Sequence, residues 1–300
     1  MKVIITGGTG LIGQALGAQL TAQGHQVWAL TRSPQTALLP TDVKAVGWDG
    51  ETSQGWQELV EQTDAIINLA GESIGSGRWS TERKARILHS RLNAARAVEQ
   101  ALHAAVHRPH TLLQASAVGY YGPRGDTQLT EAAPVGQDYL AQVAAAWEKS
   151  TANIEKLGVR RVILRTGIVL DKHQGALPRL MLPVKLMAGG RLGSGKQYLP
   201  WIHLADEVRA IQFLLEHPTA TGPFNLSAPR PVQQVEFGRV LAKLLRRPYW
   251  LPTPAFALRL VLGEMSTLVL DGQRAVPQRL MELGYTFTHS ELETALASLL

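Results

Sequence analysis

The chain has no cysteine among its 300 residues. Disulfides, thiolate nucleophiles and cysteine-ligated zinc are therefore excluded, and a reducing compartment is compatible with the composition. Long apolar runs are missing too. No stretch approaches the roughly 18 residues that a membrane-spanning helix requires, so no membrane role is expected. Internal repeats and low-complexity tracts are also absent. Neither a secretory nor an Arg-rich transit segment precedes the first apolar run, Val3-Ile4-Ile5, which makes a soluble, cytoplasmic protein the expectation.

What is present is ordinary for a globular protein: 45% apolar and 18% charged residues. The length suits one large α/β domain carrying a minor lobe. A net charge of +6 raises the question of nucleic acid. The basic residues are spread along the chain, with one modest cluster at Arg78, Arg83, Lys84, Arg86, Arg91 and Arg96. No helix-turn-helix or aromatic stacking pattern accompanies them, so no nucleic-acid partner is expected, and no metal site either.

Short apolar runs alternate with helical patterns through the first half. Val3 to Thr6, Gln26 to Thr31, Ala65 to Leu69, Leu112 to Ala115 and Arg161 to Leu164 read as strands. Helices are expected from about Leu11, from about Thr81 to Ala105, and from about Tyr139 to Glu155. This rhythm predicts a Rossmann-type, doubly wound parallel sheet with helices on both faces and a small C-terminal α/β substrate lobe. We expect residues 1–170 to form the dinucleotide-binding domain, 203–228 to return to its sheet, and 171–202 with 229–300 to form the lobe.

Thr6-Gly7-Gly8-Thr9-Gly10-Leu11-Ile12-Gly13 follows the first strand and opens a helix. A tight turn needs glycine, a pyrophosphate needs close approach to backbone N–H groups, and the helix N-terminus supplies partial positive charge. The second strand ends in Thr31-Arg32-Ser33, where an NAD-specific protein usually places Asp or Glu to hold the ribose hydroxyls. Arg32 can instead bind a 2′-phosphate, with Thr31 or Ser33 adding a hydroxyl, so NADP(H) is the expected cofactor. Asn68-Leu69-Ala70-Gly71 closes a later strand with small residues against which a dinucleotide can lie.

These motifs resemble the extended short-chain dehydrogenase/reductase superfamily, and in particular its epimerase family branch with an additional C-terminal domain of unassigned function. Further carriers of the resemblance are Ser90-Arg91, Ser116-Ala117-Val118-Gly119-Tyr120-Tyr121-Gly122, Trp147-Glu148, Leu164 to Leu170, Trp201 to Asp206, Gly222-Pro223-Phe224-Asn225, Leu262-Gly263-Glu264 and Gly272 to Pro277. The resemblance covers nearly the whole chain. It implies that Gly7, Gly10, Leu11, Ile12 and Gly13 wrap the pyrophosphate, and that Thr31, Arg32 and Ser33 flank the adenosine phosphate. Leu69, Ala70 and Gly71 would line the groove, Arg91 would contact the cofactor, and Val169 would face the nicotinamide.

In this superfamily a hydroxyl at the end of the fifth strand polarises the substrate oxygen, and a Tyr-x-x-x-Lys pair on the next helix transfers the proton. Residues four apart share a helix face, so the lysine charge can lower the tyrosine pKa. Ser116 sits where the resemblance puts the hydroxyl. None of the six tyrosines, however, has a lysine four residues on. Aligning Glu148 with the superfamily's acidic residue puts Leu140 and Ala144 at the two catalytic positions. Tyr121 could serve as the acid instead, substrate and water could carry the proton, or Tyr120 and Tyr121 could simply wall a pocket.

His203 and Asp206 read as structural ties or as a His/Asp relay, and Gly193 to Gln197 as a polar clamp or as an ordinary turn. Leu292, Leu296, Leu299 and Leu300 form a terminal apolar stripe suited to core packing or to a homodimer. Two functions are therefore expected. One is an NADP(H)-dependent oxidoreductase or epimerase acting on a small carbonyl, alcohol or sugar-like substrate; the other is a non-catalytic NADP(H)-responsive binding or regulatory protein.

Overall fold

A computed structural model describes all 300 residues. Seven parallel strands form one sheet: β1 (Lys2–Thr6), β2 (Gln26–Thr31), β3 (Val43–Gly47), β4 (Ala65–Asn68), β5 (Thr111–Ala117), β6 (Arg160–Thr166) and β7 (Gly222–Leu226). Their order across the sheet is β7-β6-β5-β4-β1-β2-β3, so the direction of winding reverses between β1 and β4. A ligand crevice belongs at the carboxyl ends there, where the crossovers leave in opposite directions.

Helices α1 (Leu11–Ala22), α2 (Gln57–Val60), α3 (Thr81–Ala104), α4 (Tyr139–Lys149), α5 (Leu177–Lys185) and α6 (Leu204–Glu216) lie between or after these strands. The strand pleat sorts the apolar residues between the two faces. Val3 and Ile5 of β1 join a cluster with Leu16 and Leu20 of α1 and Ile211 of α6, whereas Ile4 joins one with Ala94 and Val98 of α3. Burial on both faces is why these strands are continuously apolar instead of alternating.

The rest of the chain adds α7 (Gln234–Leu244), α8 (Ala255–Leu262), α9 (Thr267–Leu270), α10 (Gln278–Glu282) and α11 (Leu292–Leu299). Its own core joins Leu177 and Met181 of α5 to Phe237 and Leu241 of α7 and to Leu292 and Leu296 of α11. The terminal leucine stripe is thus largely spent on intramolecular packing. Strand content here is small, confined to pairs such as Ile168–Leu170 with Trp201–His203.

Three boundaries differ from the sequence expectation. β5 and β6 run on through Ser116-Ala117 and Arg165-Thr166, which stay in register with each other, because polar side chains at the strand ends are bonded internally. The helical pattern after Tyr139 breaks at Lys149 and resumes as a 3-10 turn, Ala152–Leu157. β3 is an exposed edge strand with little apolar signal.

Asp206, in the first turn of α6, anchors the C-terminal segment to this frame. Its carboxylate accepts from Thr288 N–H at 3.0 Å, from His289 N–H at 2.8 Å and from Arg209, and Tyr285 Oη donates to its carbonyl at 3.0 Å. Removing a buried acceptor strands these backbone donors. Asp206→Ala is expected to cost about 2–3 kcal/mol of unfolding free energy, read from urea denaturation; a loss under about 0.5 kcal/mol, the scale of a surface change, would contradict the anchor.

Candidate functional site

The glycine loop runs from the carboxyl end of β1 into α1. Gly7 has φ of +68°, and a Cβ there would come within 2.9 Å of the Leu69 carbonyl. At Gly13 a Cβ would lie 2.4 Å from the Gly7 oxygen and 2.7 Å from Gly8 Cα. These two glycines therefore let three backbones pack: the loop, the first turn of α1 and the strand end at Leu69. Gly10, by contrast, has only the Gly7 oxygen nearby, at 3.3 Å. No side chain caps α1, so its first N–H groups stay open to an anion.

Along the groove beside this loop, Thr31 is buried and its hydroxyl accepts from Ser33 N–H at 3.3 Å, while Arg32 and Ser33 are exposed. Arg32 enters no intramolecular hydrogen bond or salt bridge, which leaves its guanidinium available. On the other side, Thr6 Oγ1 donates to Asn68 Oδ1 at 2.5 Å and accepts from Ala70 N–H at 3.2 Å. Asn68 Nδ2 passes the chain on to Gln114 at 2.9 Å. This buried ladder fixes the backbone from Asn68 to Gly71 against β1.

Arg91 of α3 lies against Gly71, with its Cζ 3.2 Å from where a Gly71 Cβ would be, and stacks at 4.9 Å over Trp147. Nη1 donates to the carbonyls of Glu72 at 3.1 Å and Ile87 at 2.8 Å. Its charge meets no carboxylate in a salt bridge. Burial lowers its pKa to about 10, against the opposing influence of Tyr139 and Glu72. Such a cation is held where an anion would relieve it. Opposite the loop, the tight approach at Gly175 brings together Leu11 Cδ2, 3.3 Å from a Cβ placed there, and the Val169 oxygen, at 3.4 Å.

The end of β5 differs from expectation. Ser116 is 4% exposed and Tyr121 is 0% exposed. Ser116 Oγ donates to Glu148 Oε1 at 2.7 Å. Glu148 is gripped at both oxygens by Arg165, at 2.8 Å from Nε and 2.9 Å from Nη2. Arg165 Nη1 donates to Tyr121 Oη at 3.0 Å and to the Glu131 carbonyl at 3.1 Å. Tyr121 in turn donates to Asn225 Oδ1 at 2.6 Å. Both hydroxyls singled out in the sequence thus place their one hydrogen inside the protein.

Tyr121 is therefore corrected from a candidate acid to a member of a buried chain. Burial pushes its pKa up to about 12, with Arg165 only partly opposing it. Of the two positions where the superfamily has its pair, Leu140 sits beside Gly119, whose Cβ would be 3.5 Å away, and Ala144 is buried. Neither supplies a proton. Tyr120 lies under Arg165, with the guanidinium carbon 3.6 Å from its ring centroid.

The remaining candidates are structural. Gln197 Nε2 ties its turn to the carbonyls of Leu192 at 3.0 Å and Val269 at 2.7 Å, leaving Arg191 and Lys196 exposed. His203 Nδ1 caps α6 by accepting from Ala205 N–H at 3.0 Å, and its ring stacks on His289 at 3.8 Å. With Asp206 engaged elsewhere, no His203–Asp206 hydrogen bond forms. Of the basic cluster, Arg83 pairs with Glu72, Lys84 with Glu264 at 2.6 Å, and Arg78 donates to the Leu260 carbonyl at 2.5 Å. Among His, Asp and Glu no grouping suits a metal ion.

One residue gave no sequence signal beyond its place beside Asp206. Glu207 is fully buried; Oε1 accepts from Thr166 Oγ1 at 2.8 Å and Oε2 has no partner. Burial pushes its pKa up to about 8, Thr166 opposing. The folded protein thus keeps a proton that an unfolded carboxyl releases near pH 4, and stability falls as pH rises from about 4 to about 8. Glu207→Gln is expected to flatten this decline in urea unfolding measured at pH 5.5 and 8.5; parallel curves for the two proteins would contradict a neutral buried carboxyl.

Sheet order, glycine loop and crevice define a dinucleotide-binding Rossmann protein of the extended short-chain dehydrogenase/reductase type. The family described as "NAD dependent epimerase/dehydratase family" matches residues 3–227, and a "Domain of unknown function (DUF1731)" matches 253–299. The chain belongs to this epimerase/dehydratase family. It is 43% identical over 301 residues to the epimerase family protein YfhF of Bacillus subtilis, covering 100% of this chain and 98% of the relative. An epimerase family protein of Staphylococcus aureus is 38% identical over 303 residues, with 100% and 99% covered.

Among solved structures, human epimerase family protein SDR39U1 (isoform 2) with NADPH superposes with a TM-score of 0.88 at 30% identity, covering 100% of this chain and 99% of that one. UDP-glucose 4-epimerase from Thermus thermophilus, in complex with NAD, has a TM-score of 0.76 at 18% identity, with 100% and 98% covered. It shares the fold. Binding of a nicotinamide dinucleotide is a property of this family, and no helix of the chain is long and apolar enough to cross a membrane.

Proposed function

We propose that the protein binds NADP(H) and uses it as an oxidoreductase or epimerase on a small carbonyl, alcohol or sugar-like substrate. The observation that carries the cofactor choice is the unpaired Arg32 beside the glycine loop, where a carboxylate would repel a 2′-phosphate. The human relative that holds NADPH supports it. Gly7, Gly10, Leu11, Ile12 and Gly13 would hold the pyrophosphate. Thr31, Arg32 and Ser33 would take the adenosine phosphate, Leu69, Ala70, Gly71 and Arg91 would line the middle of the groove, and Val169 would border the nicotinamide. The largely buried Arg91, lacking a carboxylate partner, fits an anionic ligand of this kind.

When bound, the cofactor supplies or accepts a hydride. Ser116 and Tyr121 direct their hydrogens to Glu148 and Asn225 and have none to offer the crevice. We therefore assign proton movement to the substrate's own groups or to water, and give Ser116 and Tyr121 positioning roles. The same observation favours the second reading, an NADP(H)-responsive binding or regulatory protein without turnover. A soluble, cytoplasmic monomer or homodimer without a nucleic-acid partner accompanies either reading.

Two measurements test this. Arg32→Ala should lower NADPH affinity relative to NADH by about 10- to 100-fold, the worth of one charge-assisted hydrogen bond, in fluorescence titrations; an unchanged ratio removes the NADP(H) assignment. Incubating the protein and a metabolite extract with NADPH deuterated on either face should place label in a new product from one face only. Demonstrated NADPH binding with neither label in any product nor an epimerised metabolite after incubation with NADP⁺ would favour the regulatory reading.

A further inference from the structure

The C-terminal region matched only to a domain of unknown function reaches the large domain in three places. Leu260 and Glu264 touch the start of α3, residues 285–289 dock on Asp206, and residues 274–279 enter the buried polar chain itself. Arg274 and Ala275 pair in parallel with Gln128 and Leu129, and Val276 N–H donates to the Leu129 carbonyl at 3.0 Å. That pairing turns three carbonyls toward the end of β7. Asn225 Nδ2 donates to Val276 O at 2.9 Å and to Leu129 O at 3.3 Å, and Ser227 Oγ donates to Ala275 O at 3.2 Å.

An asparagine amide has two unlike ends. With Nδ2 occupied by carbonyls, Oδ1 faces Tyr121 and takes its hydrogen, which leaves the Tyr121 oxygen to accept from Arg165. Arg165 is then held with its other edge on Glu148. Without Val276, Nδ2 would keep only the longer bond to Leu129. Every member from Val276 to Ser116 is at most 9% exposed, so water does not substitute easily for a lost partner.

We propose that the C-terminal domain is a positioning element of the crevice. Docking of Ala275 and Val276 sets the Asn225 amide and, through Tyr121, Arg165 and Glu148, the backbone from Ser116 to Tyr121 at the carboxyl end of β5. This role stands apart from whether the crevice turns a substrate over.

The test uses the full chain. Asn225→Asp still offers Tyr121 an acceptor but sets lone pairs against the Val276 and Leu129 carbonyls; Ser227→Ala removes only the 3.2 Å bond. The readouts are the Tyr121 signal in a protein labelled with ¹³Cζ-tyrosine, assigned with Tyr121→Phe, and hydrogen–deuterium exchange. Asn225→Asp should shift that signal and speed exchange at residues 116–121 about tenfold or more, with the glycine loop unchanged and Ser227→Ala much weaker. In Arg165→Lys, whose single ammonium cannot span Glu148 and Tyr121, adding Asn225→Asp should give no further acceleration at 116–121.

Faster exchange confined to residues 225 and 274–279, or two substitutions that act additively, would overturn the proposal. Should Asn225→Asp fail to fold, Arg279→Ala decides. It releases the same segment at its outer end, where Arg279 Nη1 holds the Pro223 carbonyl at 2.7 Å. Transmission to residues 116–121 is again the expected result and local loosening alone the contrary one.

Discussion

The site is organised around the guanidinium of Arg165. It lies at the end of β6, holds Glu148 of α4 with two parallel bonds, and reaches Tyr121 and the Glu131 carbonyl with its remaining edge. It thereby joins α4, the turn at Tyr121 and the segment at Glu131 to the end of β6. A lysine could not do the same, because a single ammonium lacks the planar fork that meets a carboxylate on one side and two oxygens on another. A buried ion pair of this kind is poor evidence for stability, since desolvation offsets much of the attraction. What it supplies is geometry: five donors in a fixed plane leave its neighbours one arrangement.

That arrangement explains why two hydroxyls at the site face inward. A guanidinium only donates and a carboxylate only accepts, so the Ser116 hydroxyl donates to Glu148 beside the Arg165 pair. The two sides of the crevice are therefore built on opposite principles. Toward the glycine loop the structure depends on missing side chains, which allow β1, α1 and the Leu69 backbone to approach one another. Toward β5 and β6 it depends on polar side chains bonded to one another. The first side is open to an anion; on the second the two hydroxyls are tied to Glu148 and Asn225.

Much of the fold was legible from the residues. Continuous apolar strands separated by amphipathic stretches signal a parallel sheet buried on both faces, and Gly7, Gly10 and Gly13 after the first strand signal a dinucleotide loop, because these signals are local. The ends of β5 and β6 were harder to read, since polar residues there look like loop until their partners are known. The edge strand β3 carries too little apolar surface to stand out. The turn from Gly193 to Gln197 looks like a clamp in sequence because its glycines and Lys196 are visible, whereas the glutamine contacts that make it a turn come from Val269 and Gln234.

By itself, then, the sequence determined the class of fold, the position of the glycine loop, the basic residue beside it and the absence of the Tyr-Lys pair. Each depends on residue type and short spacing. Only the tertiary structure decided which hydroxyls are free. Ser116 finds its acceptor 32 residues away and Tyr121 finds its own 104 residues away, on elements that meet only after the sheet has closed and the C-terminal lobe has docked. A hydroxyl's single hydrogen goes to the nearest well-placed acceptor, and that acceptor is fixed by packing across the sheet.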